Sequence, residues 1–519
     1  MPHRRRVVPF VAALAASLLG IAGHPMPDAA AQSSGSLPNA KWISVVLASE
    51  PDTLDGCQAL RSSAGPVIMQ NVVETLTDVD PKTGVIQPRL ATAWQAIDDK
   101  TWRFTLRQGV TFHDGAPFNA ASTMKALQRT LTKELNCQAY VRSFSSVQIA
   151  TKAIDDYTLE FTSNQPLPIL PLQMSTLTVT SPNTPMDKMS LEPIGTGPYA
   201  FDGWAAGSEI KLKRNDKYWG KVPPVEGVRY VWRAESAVRA AMVRIGEADI
   251  SPNIAVQDAK EPAMDYSFLN SETTFMRIDT SRKPLDDIRV RRALNYAFDR
   301  HTVRGSILSK DIVHATQAVV PTMAGHNHDL DKRVMPYDPA KARQLLAEAK
   351  AAGTPVDNEI VILGVPALYP NAAETVEAMH AMYKAVGFNV RLRNIDRSES
   401  RNLTVKPFAE DRVPVLFQSS HDNDKGDPVF SAFTRFACDG VQSMSCLPEL
   451  DKLIADATVM AGEKRIKAWE NVFRIVYDDL VPWVFMYHMV GYSRVGTRVN
   501  FTPTSSTNTQ VEIATVSFK

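Results

Sequence analysis

The 519-residue sequence has no excess of charge of either sign, because 57 lysine and arginine residues balance 56 aspartate and glutamate residues. A net charge of +1 gives no electrostatic reason to expect nucleic acid or an anionic membrane surface as a partner. The sequence also lacks internal repeats and low-complexity linkers. A chain of this length corresponds to about three domains, and the absence of linkers suggests lobes through which the chain passes more than once.

Common catalytic signatures are missing as well. The sequence contains no HExxH, no GxSxG, no Walker phosphate loop and no GxGxxG that follows a predicted strand. Pro198 removes an amide that a phosphate loop around Gly195 and Gly197 would need, so we interpret this segment as a turn. We find no catalytic residues and expect a protein that is not an enzyme and needs no cofactor.

Two segments offer potential metal ligands. Asp422, Asp424 and Asp427 resemble the start of a calcium loop, but Gly426 and Phe433 occupy the fifth and twelfth positions, where oxygen ligands are expected.

The second segment contains His326 and His328 beside Asp329, within a stretch that also contains glycine and asparagine. We interpret it as a solvent-exposed loop rather than a metal site. The sequence therefore predicts no resident metal.

The N-terminus has the pattern of a signal peptide. Arg4–Arg6 form a positive region, Val7–Ala22 are largely apolar, and Ala29–Ala31 fit the small-residue cleavage pattern. A membrane anchor is the alternative, but the apolar run is short and ends near His24. Arg5 and Arg6 leave the twin-arginine export route open. We expect residues 1–31 to be a signal peptide and the mature chain to be soluble and periplasmic.

There are four cysteines, an even number that permits disulfides in an exported chain. Cys438 and Cys446 enclose a short polar loop, so they are the favoured pair, which leaves Cys57 to pair with Cys137. A zinc site is the alternative, but the sequence has no CxxC spacing.

Strand and helix patterns alternate through the remaining chain. Alternating apolar residues predict strands around 102–106 and 157–161, with a helix at 120–130 between them. Helical spacing over 285–300 predicts an amphipathic helix capped by Asp286 or Asp287, with Arg289, Arg291, Arg292 and Asn295 facing away from the core.

The second half of the chain predicts further α/β structure. Asp338 and Pro339 begin a helix that Gly353 can end. The patterns that follow predict a parallel βαβ unit, with strands at 359–364 and 389–395 and a helix at 372–386 between them. A further helix is predicted at 464–478 and an apolar strand at 481–489.

Four blocks then resemble the peptide and nickel family of ABC-importer solute-binding proteins, known as family 5. They are, in chain order, LATAW at 90–94 with WRFTLRQGVTFHDG at 102–115, PIGTGPY at 193–199 with NDKYWG at 215–220, DIRVRRALNYA at 287–297 with Asp299-Arg300, and YDPAKA at 337–342. We interpret their residues as structural, with Gly195 and Gly197 allowing turns and Tyr218 and Trp219 filling core space.

The resemblance implies an α/β, two-lobed periplasmic-binding-protein fold of type II, in the large cluster C form, with an extra subdomain in lobe I. Lobe I would comprise residues 32–275, with the subdomain at about 70–185, and lobe II residues 276–487. Residues 488–519 would return to lobe I. A ligand would be enclosed as the lobes close.

The resemblance also implies a binding residue. Peptide-binding members carry an aspartate in an Asp-x-x-[Asp/Glu]-Pro loop that pairs with the ligand's α-ammonium, and residues 424–428 (DKGDP) match this loop. Asp424 is therefore our predicted anchor, and we also predict that His421, Tyr369 and Tyr487 contact the ligand. Asp424 could instead only cap a turn.

Two departures from the family pattern leave the ligand open. His421 stands where peptide-binding members often have tryptophan, and the loop at 364–370 lacks the arginine that meets the carboxylate in dipeptide-type members. An opine, an amino-acid conjugate, a longer peptide or another cationic metabolite is compatible with the sequence. His421 and His488 leave nickel or a metal chelate as a further alternative.

The function expected from the sequence is that of a periplasmic receptor, a monomer that delivers a small ligand, plausibly a peptide, to the membrane permease of an ABC importer. A periplasmic chaperone and a secreted hydrolase are the alternatives from other classes. Ligand-dependent thermal stabilisation separates these alternatives, because a receptor gains stability as RT ln(1 + [L]/Kd), where [L] is the free ligand concentration.

We predict that export is accompanied by cleavage after Ala31, because the small residues at 29–31 follow the apolar region at the expected place. N-terminal sequencing of the protein from the periplasmic fraction should begin at Gln32. Recovery of a chain with an intact Met1 from the membrane fraction would contradict this prediction.

Overall fold

The computed structural model describes residues 37, 39–60, 63–140, 144, 147–366, 368–396, 399–400, 403, 405–423, 426–506 and 510–519. Asp424 lies outside these described residues, as does the predicted signal peptide. Leu37–Lys519 constitute one structural unit. Among the described helices, none combines the length and apolar character required to cross a bilayer.

The strands fall into one large sheet and several small ones. They are β1 (Trp42–Leu47), β2 (Glu74–Thr75), β3 (Thr77–Val79), β4 (Ile86–Pro88), β5 (Ala91–Ala96), β6 (Thr101–Leu106), β7 (Ile149–Asp155), β8 (Thr158–Ser163), β9 (Thr178–Val179), β10 (Tyr199–Ala205), β11 (Glu209–Arg214), β12 (Gly227–Trp232), β13 (Ile250–Ile254), β14 (Asp265–Ile278), β15 (Val313–His314), β16 (Ile360–Gly364), β17 (Val390–Asn394), β18 (Val415–Asp422), β19 (Trp483–Val495), β20 (Val499–Asn500) and β21 (Ser517–Phe518).

The large sheet runs in the order β10-β11-β12-β1-β13-β19-β14-β18-β16-β17, and β15 pairs with β19. β1 pairs in parallel with β12 and β13, and β16 pairs in parallel with β17 and β18, whereas β14 and β19 are antiparallel to each other. The sheet is therefore mixed, and the predicted α/β class is confirmed. β5-β6-β8-β7 form a separate antiparallel sheet.

Helices cover the sheets and connect their strands. They are α1 (Gly65–Ile68), α2 (Ala120–Leu131), α3 (Leu170–Gln173), α4 (Ser236–Arg244), α5 (Ile288–Tyr296), α6 (Arg300–Ser306), α7 (His328–Asp331), α8 (Pro339–Ala351), α9 (Ala372–Ala385), α10 (Pro428–Phe436), α11 (Pro448–Val459) and α12 (Gly462–Ile475), followed by a π-helical turn (Val476–Leu480).

Local sequence explains where several of these helices begin. The Asn119 side chain accepts a hydrogen bond from the Ser122 amide at the start of α2, and Asp338 accepts one from the Lys341 amide at the start of α8. Pro339 stands in the first turn of α8, where its missing N–H costs nothing. The predicted helix at 120–130 and the parallel pair of strands formed by β16 and β17 are confirmed.

Three large hydrophobic cores flank the main sheet, and β19 contributes to each. Val495 belongs to a core with Ile43 and Tyr230. Val484 and Met486 belong to a second core, built on helices α5, α8 and α9, while Trp483 and Phe485 belong to a third. This alternation follows from the period of two in a strand, which sends successive side chains to opposite faces.

The prediction of one helix over 285–300 is wrong in its extent. Helix α5 ends at Tyr296, and a second helix, α6, begins at Arg300 because Asp299 caps it by accepting from the Thr302 amide. The predicted cap at Asp287 is confirmed, since its carboxylate accepts from the Arg289 amide.

The prediction that Arg291 and Asn295 face away from the core is also wrong. Arg291 is buried and donates to the carbonyls of Leu480 and Leu285, while Asn295 donates to the Trp483 carbonyl. The Leu480 and Trp483 carbonyls lie where the π-helical turn gives way to β19 and need donors, which the polar side of α5 supplies.

The glycines of the PIGTGPY block serve a different purpose from the one predicted. A Cβ placed on Gly195 would lie 2.0 Å from the Val72 carbonyl oxygen, and one on Gly197 would lie 2.2 Å from that of Asn71. Neither glycine has a positive φ, so the requirement is close backbone packing and not turn geometry.

A buried carboxylate organises the same region. Glu74 accepts hydrogen bonds from Arg89, Thr196, Tyr218 and Trp219. Tyr218 and Trp219 of the NDKYWG block therefore act through their polar groups as well as through packing. Their hydrogen bonds connect this block to the segment that contains Glu74.

The prediction of a solvent-exposed loop is wrong for His326, which is 2% exposed. Its ring lies within hydrogen-bonding distance of the Val319 carbonyl and the Asp331 carboxylate, which give a buried imidazole the polar partners it requires. His328 is exposed, in agreement with the prediction: 68% of its side chain is accessible to solvent.

Both expected disulfides are present. Cys57 is bonded to Cys137 across 80 residues of chain, and Cys438 to Cys446 across eight. A buried ion pair between Asp55 and Arg129 connects the same two segments of chain as the Cys57–Cys137 disulfide, because Asp55 is close in sequence to Cys57 and Arg129 to Cys137.

We expect the two disulfides to contribute unequally to stability, because loop-closure entropy grows with loop length. The loop-entropy relation gives about 4.5 kcal/mol for the longer loop and about 2.5 kcal/mol for the shorter one. Replacing Cys57 and Cys137 with alanine should therefore lower the urea midpoint more than replacing Cys438 and Cys446. The opposite order in matched urea unfolding curves would contradict this account.

Candidate functional site

A cavity of about 170 Å³ lies where β18 ends and helix α10 begins. Its wall is largely polar and includes His421, Asp422, Asn423, Gly426, Ser431 and Arg435. All six come from one stretch of 15 residues, 421–435, which contains the end of β18 and the start of α10. The cavity borders the loop predicted to bind the ligand.

His421 is held between two residues of α10 that are one helical turn apart. The guanidinium of Arg435 donates to Nδ1 of His421 at 3.0 Å, and Nε2 of His421 lies 2.6 Å from the Ser431 hydroxyl. Because a guanidinium can only donate, Nδ1 accepts and the ring proton is assigned to Nε2. The imidazole is therefore a neutral part of the wall, with both nitrogens engaged by protein partners.

Arg435 supplies positive charge to the cavity. Burial lowers the pKa of Arg435 to about 10, a shift that the carboxylate of Asp422 opposes. Its Nε has no hydrogen-bond partner within the described part of the chain. Burial, together with the neighbouring Arg435, lowers the pKa of Arg277 to about 9. The guanidinium of Arg435 thus gives the wall a positive charge, which favours a carboxylate or carbonyl oxygen in a ligand.

Asn423 attaches the cavity loop to strand β14. Its amide nitrogen and its side-chain Nδ2 both donate to the Ser271 carbonyl, at 2.8 and 2.9 Å. Ser271 has a φ of +65°, and the pairing of β14 with β19 shifts register between Leu269 and Thr273. The loop is therefore fastened to β14 at the point where the regular strand pairing is interrupted.

Asp427, the second aspartate of the Asp-x-x-Asp-Pro loop, has a structural role. It caps α10 by accepting from the Val429 amide at 3.0 Å and forms an ion pair with Arg465 at 2.7 Å. Burial raises the pKa of Asp427, and the charge of Arg465 opposes that shift. This carboxylate is committed to the fold, although it borders the cavity.

Residues from distant segments approach the cavity from the other side. A Cβ placed on Gly426 would lie 3.4 Å from Leu172 in α3, and one on Gly84 would lie 1.9 Å from the Thr322 carbonyl oxygen. The turn between β3 and β4 and helix α3 are thus close to the segments that carry the cavity wall.

The predicted site residues are placed differently from one another. His421 lines the cavity. Tyr369 is buried and its hydroxyl accepts from Gln418, while Tyr487 is buried and donates to the Arg300 carbonyl. Both tyrosines belong to the core built on helices α5, α8 and α9, where burial raises the pKa of each phenol. The structure therefore does not bring either tyrosine together with His421.

Sequence reasoning missed Arg435 and Ser431. The signal was available, because Asp427, Ser431 and Arg435 recur at a spacing of four after an Asp-Pro helix start, which places them on one face of a helix. This face points towards His421 because of how α10 packs against β18. The residue spacing alone does not predict that packing.

Comparisons with known proteins agree with this architecture. The sequence profile described as "Bacterial extracellular solute-binding proteins, family 5 Middle" matches residues 85–443. The "Dipeptide-binding protein" of Escherichia coli K12 is 26% identical over 452 residues, covering 80% of this chain and 83% of that protein. "Heme-binding protein A" of Haemophilus influenzae is 25% identical over 474 residues, covering 83% and 84%.

Among solved structures, HbpA2 from Haemophilus parasuis superposes with a TM-score of 0.80. The superposition covers 92% of this chain and all of that one, at 21% identity. At this level of identity the likeness establishes the fold and not the ligand.

The structural role of Asp427 can be separated from the binding role predicted for Asp424 by measuring the free energy of unfolding. We expect Asp427→Asn to retain the helix cap, because asparagine caps well, but to leave Arg465 buried without its anion. Breaking a buried pair in this way costs about 3 kcal/mol. Denaturant unfolding should show this loss, while Asp439→Asn, an exposed control, should unfold like the wild type. Equal stability of the two variants would contradict the structural role of Asp427.

Proposed function

This chain belongs to family 5 of the bacterial extracellular solute-binding proteins, receptors for ABC importers, and we propose that its solute is a peptide or peptide-like molecule. The observation that carries the proposal is the charged cavity at the end of β18, whose lining includes residues on both sides of Asp424. The relatives named above support a peptide without requiring it, since one is named for dipeptides and another for heme.

The proposed receptor has two lobes joined by β14 and β19. Lobe I would comprise residues 32–275, with a subdomain at about 70–185, and lobe II residues 276–487, with residues 488–519 returning to lobe I. The separate cores that contain Ile43 and Leu294 support this division, as does the interrupted pairing around Ser271. A break in regular pairing is a place where two strands can bend without loss of core contacts.

Closure of the lobes would bury the ligand against the cavity wall. The approach of Leu172 to Gly426, and of Gly84 to Thr322, supports a cleft between these segments. A ligand enclosed there loses its water, so each of its charges needs a protein partner.

The charges of the cavity suit a zwitterionic ligand. Asp424 would accept the α-ammonium, and its sequence neighbours Asn423 and Gly426 line the cavity. Arg435 offers a cation for a carboxylate or a peptide carbonyl, in place of the arginine absent from residues 364–370. Asp422 adds a second carboxylate to the same wall. Termini and backbone would then determine affinity, with side chains contributing less.

Other features of the proposal follow from membership of a family of binding proteins. The chain would have no enzymatic activity, would be exported to the periplasm after removal of residues 1–31, and would act as a monomer. Its second partner would be the membrane permease of an ABC importer, which receives the ligand from the closed receptor.

We expect Asp424→Asn to weaken peptide binding without destabilising the fold. Asparagine keeps the size of the side chain but removes the charge, so the ligand's ammonium is buried without an anion. Loss of such a contact costs roughly 2–5 kcal/mol, or about thirtyfold to several thousandfold in Kd. Calorimetry should be performed with the dipeptide or tripeptide that gives the largest thermal shift on the wild type.

An acetylated peptide provides the matched control. Acetylation of the same peptide's amino terminus removes the ammonium, so it should weaken binding to the wild type by a similar factor and have little further effect on Asp424→Asn. If Asp424→Asn binds the free peptide as tightly as the wild type, Asp424 is not the anchor. If no peptide shifts the wild type, the peptide proposal itself fails.

A further inference from the structure

A second group of polar side chains lies outside the cavity lining, in the segment after β15. Ligand atoms of His326, His328 and Asp331 all lie within 4.8 Å of one another. Oδ2 of Asp331 is 2.9 Å from Nε2 of His326 and 3.5 Å from Nδ1 of His328. One carboxylate oxygen therefore faces two imidazole nitrogens.

The hydrogen bonds of His326 direct its Nε2 at the Asp331 carboxylate. Nδ1 lies 2.9 Å from the Val319 carbonyl, which can only accept, so Nδ1 carries the ring proton. A neutral ring would then direct the lone pair of Nε2 at the Asp331 carboxylate, with both oxygens within 3.1 Å. The Gln317 side-chain amide lies 3.2 Å from the same nitrogen and can donate to it, and a metal ion between Nε2 and the carboxylate would be bound by both.

The spacing of the three groups fits a small divalent ion. Zinc binds imidazole nitrogen and carboxylate oxygen at about 2.0–2.2 Å, so two ligands of a tetrahedral ion are about 3.3 Å apart. The two distances from Asp331 lie on either side of this value. His328 is exposed, so its ring can turn to close the longer separation.

The surrounding residues hold the group in place. The Val319 carbonyl fixes the orientation of the His326 ring, as carbonyls do behind many metal-binding histidines. Gly325 has a φ of +89°, and a Cβ there would lie 2.7 Å from Cβ of Trp469. The Asn327 side chain donates to the Glu470 carbonyl. Glycine packing and this hydrogen bond fasten the segment to α12.

A third histidine borders the group on its buried side. The rings of His488 and His326 have centroids 6.0 Å apart. Nε2 of His488 is buried and has no hydrogen-bond partner among the residues that the structure describes.

We propose that His326, His328 and Asp331 bind a divalent transition-metal ion such as Zn²⁺. Two imidazoles and one carboxylate favour zinc, cobalt or nickel over magnesium and calcium, which prefer oxygen ligands. Water would complete the coordination on the exposed side of His328. Binding uses the lone pair of Nε2 of His326, so the ion competes with a proton for this nitrogen.

The test is calorimetric titration of the untagged, EDTA-treated protein with ZnCl₂ at pH 7.5, without peptide. We expect saturable binding of one ion per chain that His328→Ala and Asp331→Asn each weaken at least tenfold. Asp329→Asn is the matched control, because this exposed carboxylate lies two residues away in the same helix and pairs with Lys332. It should bind Zn²⁺ like the wild type. Co²⁺ absorbance in the visible range should report the same ranking.

Two results would overturn the proposal. No saturable binding at pH 7.5 would mean that His326 and Asp331 simply pair with each other. Equal loss of affinity in Asp329→Asn and Asp331→Asn would mean that general surface charge attracts the ion. Since no peptide is present, neither result depends on the function proposed for the cavity.

Discussion

The antiparallel pairing of β14 with β19 is the interaction on which the other parts of the structure depend. These are the two longest strands, and they lie at the centre of the large sheet. Side chains of β19 enter all three cores that flank the main sheet, so its pairing with β14 links these cores. The register of this pairing shifts twice, between Leu269 and Thr273 around Ser271 and again between Thr274 and Phe275.

Both candidate sites are built beside this interruption. Thr273 pairs with His421 of β18 on one side and with His488 of β19 on the other. The cavity therefore begins at one neighbour of Thr273, and the histidine cluster lies against the other. Asn423 strengthens the arrangement, because it is bonded to the Ser271 carbonyl and places the cavity loop on β14. A movement of β14 at Thr273 would therefore displace both His421 and His488.

Buried arginines explain how such long strands begin and end inside the protein. Arg291 and Arg300 donate to the carbonyls of Leu480 and Phe485, at the start of β19. Arg494 forms a buried ion pair with Asp265, where β19 pairs with the start of β14. A guanidinium has five donors and satisfies several carbonyls at once, so it suits a place where regular pairing stops. The arginine-rich block at 287–300 is thus a structural motif that satisfies backbone carbonyls at the start of β19.

The sequence by itself determined the elements that depend on local periodicity and capping. The helix at Pro339 begins at its predicted cap, Asp338, and the helix at Ala120 begins where its pattern predicted. The parallel pair formed by β16 and β17 follows from a short βαβ pattern. The order of the four motif blocks was enough to predict the family, and cysteine spacing was enough to favour the disulfides. Tertiary structure alone decided which polar residues are buried, because a helical or strand period does not say which carbonyls lie opposite. Arg291 and His326 have sequences around them typical of exposed segments, yet both are buried. Arg291 donates to the distant Leu480 carbonyl, and His326 lies against the Val319 carbonyl and the Asp331 carboxylate. Arg435 reaches the cavity for the same reason, since its position depends on how α10 packs against β18.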